Sequence, residues 1–288
     1  MDTYNYEVCP QGMCFADNGL NINYIFLCNH ITERLAENKR IKILEIGAGG
    51  GRNLRIIYQK FGSKVELFGT DISNTAIDYA KSLEIGKFYL AKSEIIPVAE
   101  KFDLILMIDI LEHLKTKSVV KKTLDNALLY LNDGGNIYIS LPIELNRFSL
   151  TWLFSKLHYF KNLTKMFWGH LIQFNIKGFL KLIDLNKFKL EEAFYSVHFL
   201  SQLQILCFFY LPKILLQFFF GKKIANDLRD SNEIINNIKH PLLNLAKRII
   251  INFSYPLSYL AFKESHLKRT SSFAVGNMHL LISKDYIK

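Results

Sequence analysis

Apolar positions along this chain change their spacing repeatedly, and each change marks an element. Over 22–37 (INYIFLCNHITERLAE) they recur every three or four residues, the period of a helix with one buried face. IKILEI (41–46) is almost continuously apolar, as a short strand buried on both sides must be. The pattern then predicts a helix at 52–61 and a strand at 64–70 that ends at Asp71. A helix follows over 73–84, with Ser73 near its N-cap. KFYLAK (87–92) and FDLILMID (102–109) read as the third and fourth strands. A helix over 115–131 runs into a turn, NDGG (132–135), and NIYISLP (136–142) is the fifth strand. Strands alternating with helices at this rhythm predict an α/β fold with a doubly wound, mainly parallel sheet.

The second half continues the pattern less regularly. Residues 147–168 read as helical and aromatic-rich, 176–186 as a helix, 188–199 as a strand and 278–284 (MHLLISK) as a last strand, for seven in all. Between the last two strands lies an insertion, 201–272, that a compact sheet does not need. One domain over 1–288 is expected: a lead-in and helix (1–38), a core (39–200 and 273–288) and the helical insertion.

Charge divides the chain in two. Residues 1–146 carry 16 Lys and Arg against 18 Asp and Glu; residues 147–288 carry 20 against 8, together with 17 of the 23 Phe. Half the residues are hydrophobic, which excludes a disordered chain and leaves ample material for a core. Four Cys are too few for a disulfide scaffold. No second Cys/His pair stands at finger spacing from Cys9 and Cys14, so no metal is expected. The polar N-terminus, MDTYNYEVCP, lacks a signal-peptide core, and a cytoplasmic setting is expected.

The strongest local signal is ILEIGAGGGRN (43–53), an apolar strand running through a Gly cluster into a helix. Glycine lets backbone pass close to a ligand, and free N–H groups at a helix start meet polar or anionic groups. A dinucleotide fingerprint would need Gly where Arg52 stands, and a P-loop would need Gly-Lys-Ser/Thr; neither is present, which disfavours an oxidoreductase. What remains is Glu45-x-Gly47-x-Gly49-x-Gly51. Asp71, at the end of the second strand, is placed to accept hydrogen bonds from the vicinal hydroxyls of a ribose. Read alone, it is equally a turn or N-cap acid.

LEIGAGGG, FGTDIS, FDLILMIDILEHL and LNDGGNIYISLP together resemble the class I S-adenosylmethionine-dependent methyltransferases, in the broad group that includes the ubiquinone-biosynthesis O-methyltransferases. The resemblance covers about 40–200, with 278–284 as the closing strand. It implies a Rossmann-like methyltransferase fold and S-adenosyl-L-methionine as cofactor. Gly47, Gly49 and Gly51 would line the methionine and ribose part. Glu45 would shape this loop or meet the cofactor's amino group, Asp71 would hold the ribose and Ile72 would pack on adenine. Asp109 would line the methionine end. Where many relatives have an acid after the third strand, this chain has Lys92-Ser93-Glu94, which leaves adenine to the Ser93 backbone or side chain.

Methyl transfer from a sulfonium asks for alignment and, with a hydroxyl acceptor, removal of a proton. His113, in LEHL after the fourth strand, faces the cleft of such a sheet and is the first candidate base; a loop-orienting role is the alternative. The resemblance points also to His170, in WGHLIQF, where relatives carry a His near the acceptor; structural and catalytic readings stay open. The other histidines read as surface or packing residues.

The expected acceptor is an oxygen, less readily a nitrogen or carbon, of a small-molecule or lipid-linked substrate such as a quinone precursor or a lipid-carried glycan. LQILCFFYLPKILLQFFF (203–220) holds one charge, Lys213, and one proline, Pro212, which oppose a simple membrane span. LAKRIIINFSYPLSYLAFK (245–263) suits a helix in the headgroup region of an anionic membrane. Peripheral contact with the inner membrane face is therefore expected, against a cap over the site or a dimer contact; oligomeric state stays open. RNA methylation and a non-catalytic, cofactor-binding membrane protein are the alternatives. Sparse Arg and aromatics set in aliphatic runs disfavour nucleic acid.

Overall fold

The computed structural model describes residues 22–156, 169–184, 187–207, 211 and 256–284. Its strands are β1 (Ile41–Ile46), β2 (Val65–Asp71), β3 (Lys87–Leu90), β4 (Phe102–Ile108), β5 (Leu131–Pro142), β6 (Phe188–Ser196) and β7 (Asn277–Lys284). They form one seven-stranded sheet in the order β3-β2-β1-β4-β5-β7-β6. β7 runs antiparallel to both its neighbours, and the β1–β2, β1–β4, β2–β3 and β4–β5 pairings are parallel. The helices are α1 (Ile22–Glu37), α2 (Arg52–Phe61), α3 (Asn74–Ser82), α4 (Lys117–Leu129), α5 (Leu150–Ser155), α6 (Ile176–Leu180) and α7 (Phe199–Ile205). A further helix, α8, is described over 256–267. The doubly wound, mainly parallel sheet read from the hydrophobic pattern is the one observed.

The continuous apolar strands are explained by two cores, one on each face. In β1, Ile41 and Ile43 point to a layer with Leu27 and Ile31 of α1, Leu54 and Ile57 of α2 and Ile77 of α3. Leu44 and Ile46 point to the other layer, with Val120 and Leu124 of α4 and Phe179 of α6. Successive strand residues serve opposite faces, so a central strand has no polar face to show.

Several boundaries moved. β5 begins at Leu131, opposite Phe102, and its register with β4 shifts between Phe102 and Leu104. NDGG is therefore an irregularity inside the strand, with Gly134 at φ +72, and not a turn ahead of it. Backbone pairing resumes across the bulge, which spacing alone does not show. α6 covers less than half of the helix expected at 176–186, and β6 ends at Ser196. α5 starts at Leu150, capped by the Ser149 hydroxyl accepting from the Trp152 amide. Residues 157–168 of that expected helix lie outside the described residues, as do Cys9, Cys14, Pro212, Lys213 and most of the 203–220 and 242–262 segments. The described ends of the insertion are tied to the core beside them: the Leu200 amide donates to Glu264 Oε2 (2.7 Å) and the Gln202 amide group donates to the Ala274 carbonyl (2.6 Å). Among the described residues no helix is long and apolar enough to cross a membrane.

Two histidines turn out to be packing residues. His279, fully buried on β7, has one ring nitrogen 3.0 Å from Tyr138 Oη and the other 2.7 Å from Ser196 Oγ. Burial pushes its pKa down to about 3, so the ring stays neutral. His198 is buried at the start of α7, against Ser265 and the Ser271 carbonyl.

Candidate active site

Strand order reverses between β1 and β4, and the crevice at the C-terminal ends of strands there is the ligand position of open α/β sheets. Every residue singled out for the site lies on the loops or strand ends around this switch point, or on the segment that folds back over it.

The Gly loop after β1 is held by backbone. The Gly47 and Ala48 amides both donate to the Thr70 carbonyl, at 2.7 and 2.9 Å. The Gly49 amide donates to Asp71 Oδ2 (2.8 Å), and the Ser73 amide donates to Asp71 Oδ1 (2.9 Å). Asp71 thus braces the loop against the start of α3 with both oxygens, while the remaining lone pairs of the carboxylate stay available to hydroxyl donors. Gly47 has φ +77, and a Cβ there would stand 2.2 Å from Ile110 Cδ1. Ile110, on the loop after β4, thus fills the space a side chain at 47 would need, and the positive φ adds backbone strain, so glycine is strongly favoured there. Gly51, at φ +76, is the N-cap of α2.

Glu45 is fully buried on β1 and accepts a hydrogen bond from the Asn53 amide group (2.6 Å), which in turn accepts from the Tyr24 hydroxyl (2.7 Å). Its Oε2 has no hydrogen-bond partner. Burial pushes the Glu45 carboxyl up to about 8, with Asp71 and Asp109 adding to the shift. A buried, half-satisfied carboxylate beside a Gly cradle fits a cationic ligand group. Ile72 is 60% exposed beside Asp71, an apolar surface open to a flat ring. Ser93 is placed differently: its hydroxyl lies 3.0 Å from Thr123 Oγ1 on α4 and donates to Glu94 (3.3 Å), so its side chain is engaged by the protein.

On the other side of the switch point, Asp109 leaves β4 with φ +51 and accepts from the Ser140 hydroxyl (3.2 Å). A short 3-10 turn, Leu111–His113, follows. The Glu112 carbonyl accepts from the Leu171 and Ile172 amides (2.8 and 2.9 Å), which pins the segment 169–172 to this turn. His113 and His170, far apart in the sequence, are thereby brought face to edge, ring centroids 4.9 Å apart. His113 Nδ1–H donates to the Gly169 carbonyl (3.3 Å), and His170 Nδ1–H donates to Glu144, just beyond β5. Both Nε2 atoms face Glu112 Oε1, at 3.8 and 3.9 Å. Burial and the neighbouring His170 push the His113 pKa down to about 3. Burial and Asp109 push the Glu112 carboxyl well above its usual range.

The sequence reading missed four of these residues. Asn53 and Glu112 stand inside motifs already singled out, and their polarity in apolar surroundings was the available signal. Tyr24 and Glu144 come from separate elements, and nothing local marked them.

A family model described as a methyltransferase domain matches residues 23–182. No curated protein matches the chain. Among solved structures, the [4+2]-cyclase SpnF is 12% identical with a TM-score of 0.52, covering 91% of this chain and 81% of its own. The plantazolicin methyltransferase BamL, solved with a triazolic desmethylPZN analogue and S-adenosylhomocysteine (SAH), is 16% identical with a TM-score of 0.51, covering 91% and 85%. Coclaurine N-methyltransferase, solved with N-methylheliamine and SAH, is 15% identical with a TM-score of 0.51, covering 95% and 75%. At these identities the structural likeness is one of fold, and the family match over more than half the chain carries the assignment.

Proposed function

The chain belongs to the methyltransferase-domain family as an S-adenosylmethionine-dependent methyltransferase, and from that premise we propose how its residues divide the work and what they methylate. The reading rests on one observation above all: Asp71 ties the end of β2 to the Gly49 amide, so loop and carboxylate form a single preset cradle. In this reading Gly47, Gly49 and Gly51 line the methionine and ribose, Asp71 takes the ribose hydroxyls and Ile72 covers one face of adenine. Glu45 and Asp109 meet the methionine end; the unpartnered Glu45 Oε2 fits its ammonium. Ser93 reads adenine through its backbone, because its hydroxyl is held by Thr123. Bound there, the cofactor supplies a methyl carbon that is already electrophilic.

The chain's own contribution is alignment, which can supply roughly 7–11 kcal/mol of the barrier. His113 and His170, converging beyond Asp109, stand on the acceptor side. The acceptor we propose is an oxygen of a small-molecule or lipid-linked substrate. The basic, Phe-rich second half supports a meeting with that substrate at an anionic membrane surface.

Calorimetry with SAH tests the cofactor reading. Micromolar-range binding that Asp71→Ala and Gly49→Val each abolish is the expected result; wild-type-like binding in both variants overturns it. Cosedimentation tests the membrane contact, with pelleting expected on vesicles containing anionic lipid and not on zwitterionic ones. No difference between the two removes that part of the proposal.

A further inference from the structure

Glu45 is linked to the N-terminal helix through a single side chain. Its Oε1 accepts from the Asn53 amide group (2.6 Å), and Asn53 Oδ1 accepts from the Tyr24 hydroxyl (2.7 Å). Three elements meet in this relay: Glu45 lies in β1, Asn53 in the first turn of α2 and Tyr24 in the first turn of α1. The packing of α1 is secured elsewhere. Leu27 and Ile31 are buried, and the Phe26 ring lies 5.5 Å from that of Tyr138 and 4.7 Å from that of Phe194. Tyr24, by contrast, is half-buried and aims its hydroxyl at Asn53.

The direction of the two bonds has chemical consequences. A side-chain amide can turn either its N–H₂ or its oxygen towards a neighbour. An ionised carboxylate only accepts, so it needs the N–H₂; a protonated carboxyl can also donate to the oxygen. Because the Tyr24 hydroxyl donates to Asn53 Oδ1, the N–H₂ faces Glu45.

That orientation matters because the rest of the surroundings oppose a charge on Glu45. Burial does so most, and Asp71 of β2 and Asp109 beyond β4 add repulsion, whereas the Asn53 bond favours the carboxylate. The other titratable groups around the relay are Tyr138 of β5, whose hydroxyl senses Asp109 and Tyr24, and Arg52 of α2, whose charge acts on Asp109. Among the described residues none donates to Glu45 Oε2.

We propose that Tyr24 is a positioning residue for the cofactor's amino group: by holding the Asn53 oxygen it keeps the Asn53 N–H₂ on Glu45, and so prepares the Glu45 carboxylate to meet the ammonium through Oε2. Tyr24 touches no reacting atom and acts only through Asn53. Without its hydroxyl, Asn53 Oδ1 loses this donor and the amide is free to turn its oxygen to a protonated Glu45, which has no charge to offer an ammonium. This role rests on the cofactor reading of Glu45 and extends it to α1.

The test measures SAH affinity by calorimetry from about pH 6 to about pH 8.5, in the wild type, Tyr24→Phe, Asn53→Leu, Glu45→Gln and the Tyr24→Phe/Glu45→Gln double variant. Tyr24→Phe keeps the ring and removes the hydroxyl. It should weaken SAH by about 3–10-fold at pH 7, the range of one hydrogen bond, with the deficit shrinking at higher pH as Glu45 ionises regardless. Asn53→Leu removes the donor itself and should cost more, with affinity levelling off at a higher pH than in the wild type. Glu45→Gln and the double variant should bind SAH equally, since the hydroxyl has no carboxylate left to prepare. A Tyr24→Phe deficit that is the same at every pH, or that persists in full beside Glu45→Gln, overturns the proposal and leaves Tyr24 a packing residue. Wild-type affinity in Tyr24→Phe across the range overturns it as well. Should Tyr24→Phe fail to fold, the Asn53→Leu profile decides by the same criterion. Absence of SAH binding by the wild type overturns the cofactor reading together with this role, whereas normal wild-type binding with a pH-independent deficit removes the role of Tyr24 alone.

Discussion

On the β1–β2 side of the cleft, amides do the holding: Gly47, Ala48 and Gly49 each donate to a group at the end of β2. On the β4–β5 side, side chains do it: Glu112, His113, Glu144 and His170 meet across three separate segments. A backbone cradle suits a ligand that every family member binds, since its shape depends on φ angles and glycines more than on side-chain identity. A cluster of buried titratable side chains is specific to one chemistry, and is costly unless each group is satisfied. The two sides should therefore fail differently, and variants can separate them.

The largest separation is expected at His170. His170→Ala should lower methyl transfer by about 10²–10⁴-fold, the usual range for a lost proton-transfer or acceptor-activating group, while SAH affinity stays within a few-fold of wild type. A parallel loss of SAH binding would show that the two sides form one unit. Gly47→Ala should do the reverse. The substitution forces a side chain into φ +77 and against Ile110, so we expect roughly 1–3 kcal/mol of lost stability from the backbone strain alone, plus loss of SAH binding. Thermal unfolding and calorimetry read both effects, and an unchanged melting temperature would break the account of the loop.

The smallest effect is a pH dependence confined to the cofactor side. Burial raises the folded-state pKa of Glu45 to about 8 from 4.5, so the folded apo protein binds its proton more tightly than the unfolded chain does. This group therefore favours folding below pH 4.5, and that contribution is lost as pH rises towards 8. Binding of a cofactor ammonium favours the ionised carboxylate. SAH affinity should then rise with pH, by up to about tenfold per unit, level off above pH 8, and be accompanied by proton release below it. Calorimetry in buffers of different ionisation enthalpy measures that release. Glu45→Gln should flatten the profile, and an equally steep profile in the variant would assign the effect elsewhere.

Much of the Gly-loop side of the cleft is legible in the sequence. The run from Ile43 to Gly51 is contiguous, its glycines announce the turn, and Asp71 ends an apolar strand. Only its partner was unreadable: the Gly49–Asp71 bond spans 22 positions and depends on β1 and β2 lying side by side. Ser93 shows the limit from the other direction, because its place after β3 was right and its side chain was taken by α4. The β4–β5 side was half legible. His113 and His170 were each singled out, but their meeting depends on the Glu112 carbonyl catching two amides of the 169–172 segment. Glu144 carried no local signal at all, since one glutamate after a strand looks like any other.

By itself the sequence determined the strand and helix order, the direction of the first five strands and the Gly cradle, because these follow from periodicity and from backbone freedom, which are local properties. Tertiary structure decided which buried acids face which histidines, that Glu112 and Glu45 keep unpartnered oxygens, and that the antiparallel β7 enters between β5 and β6. Those outcomes depend on contacts between residues far apart in the chain, whose energies are set by burial and by the few ångströms between groups.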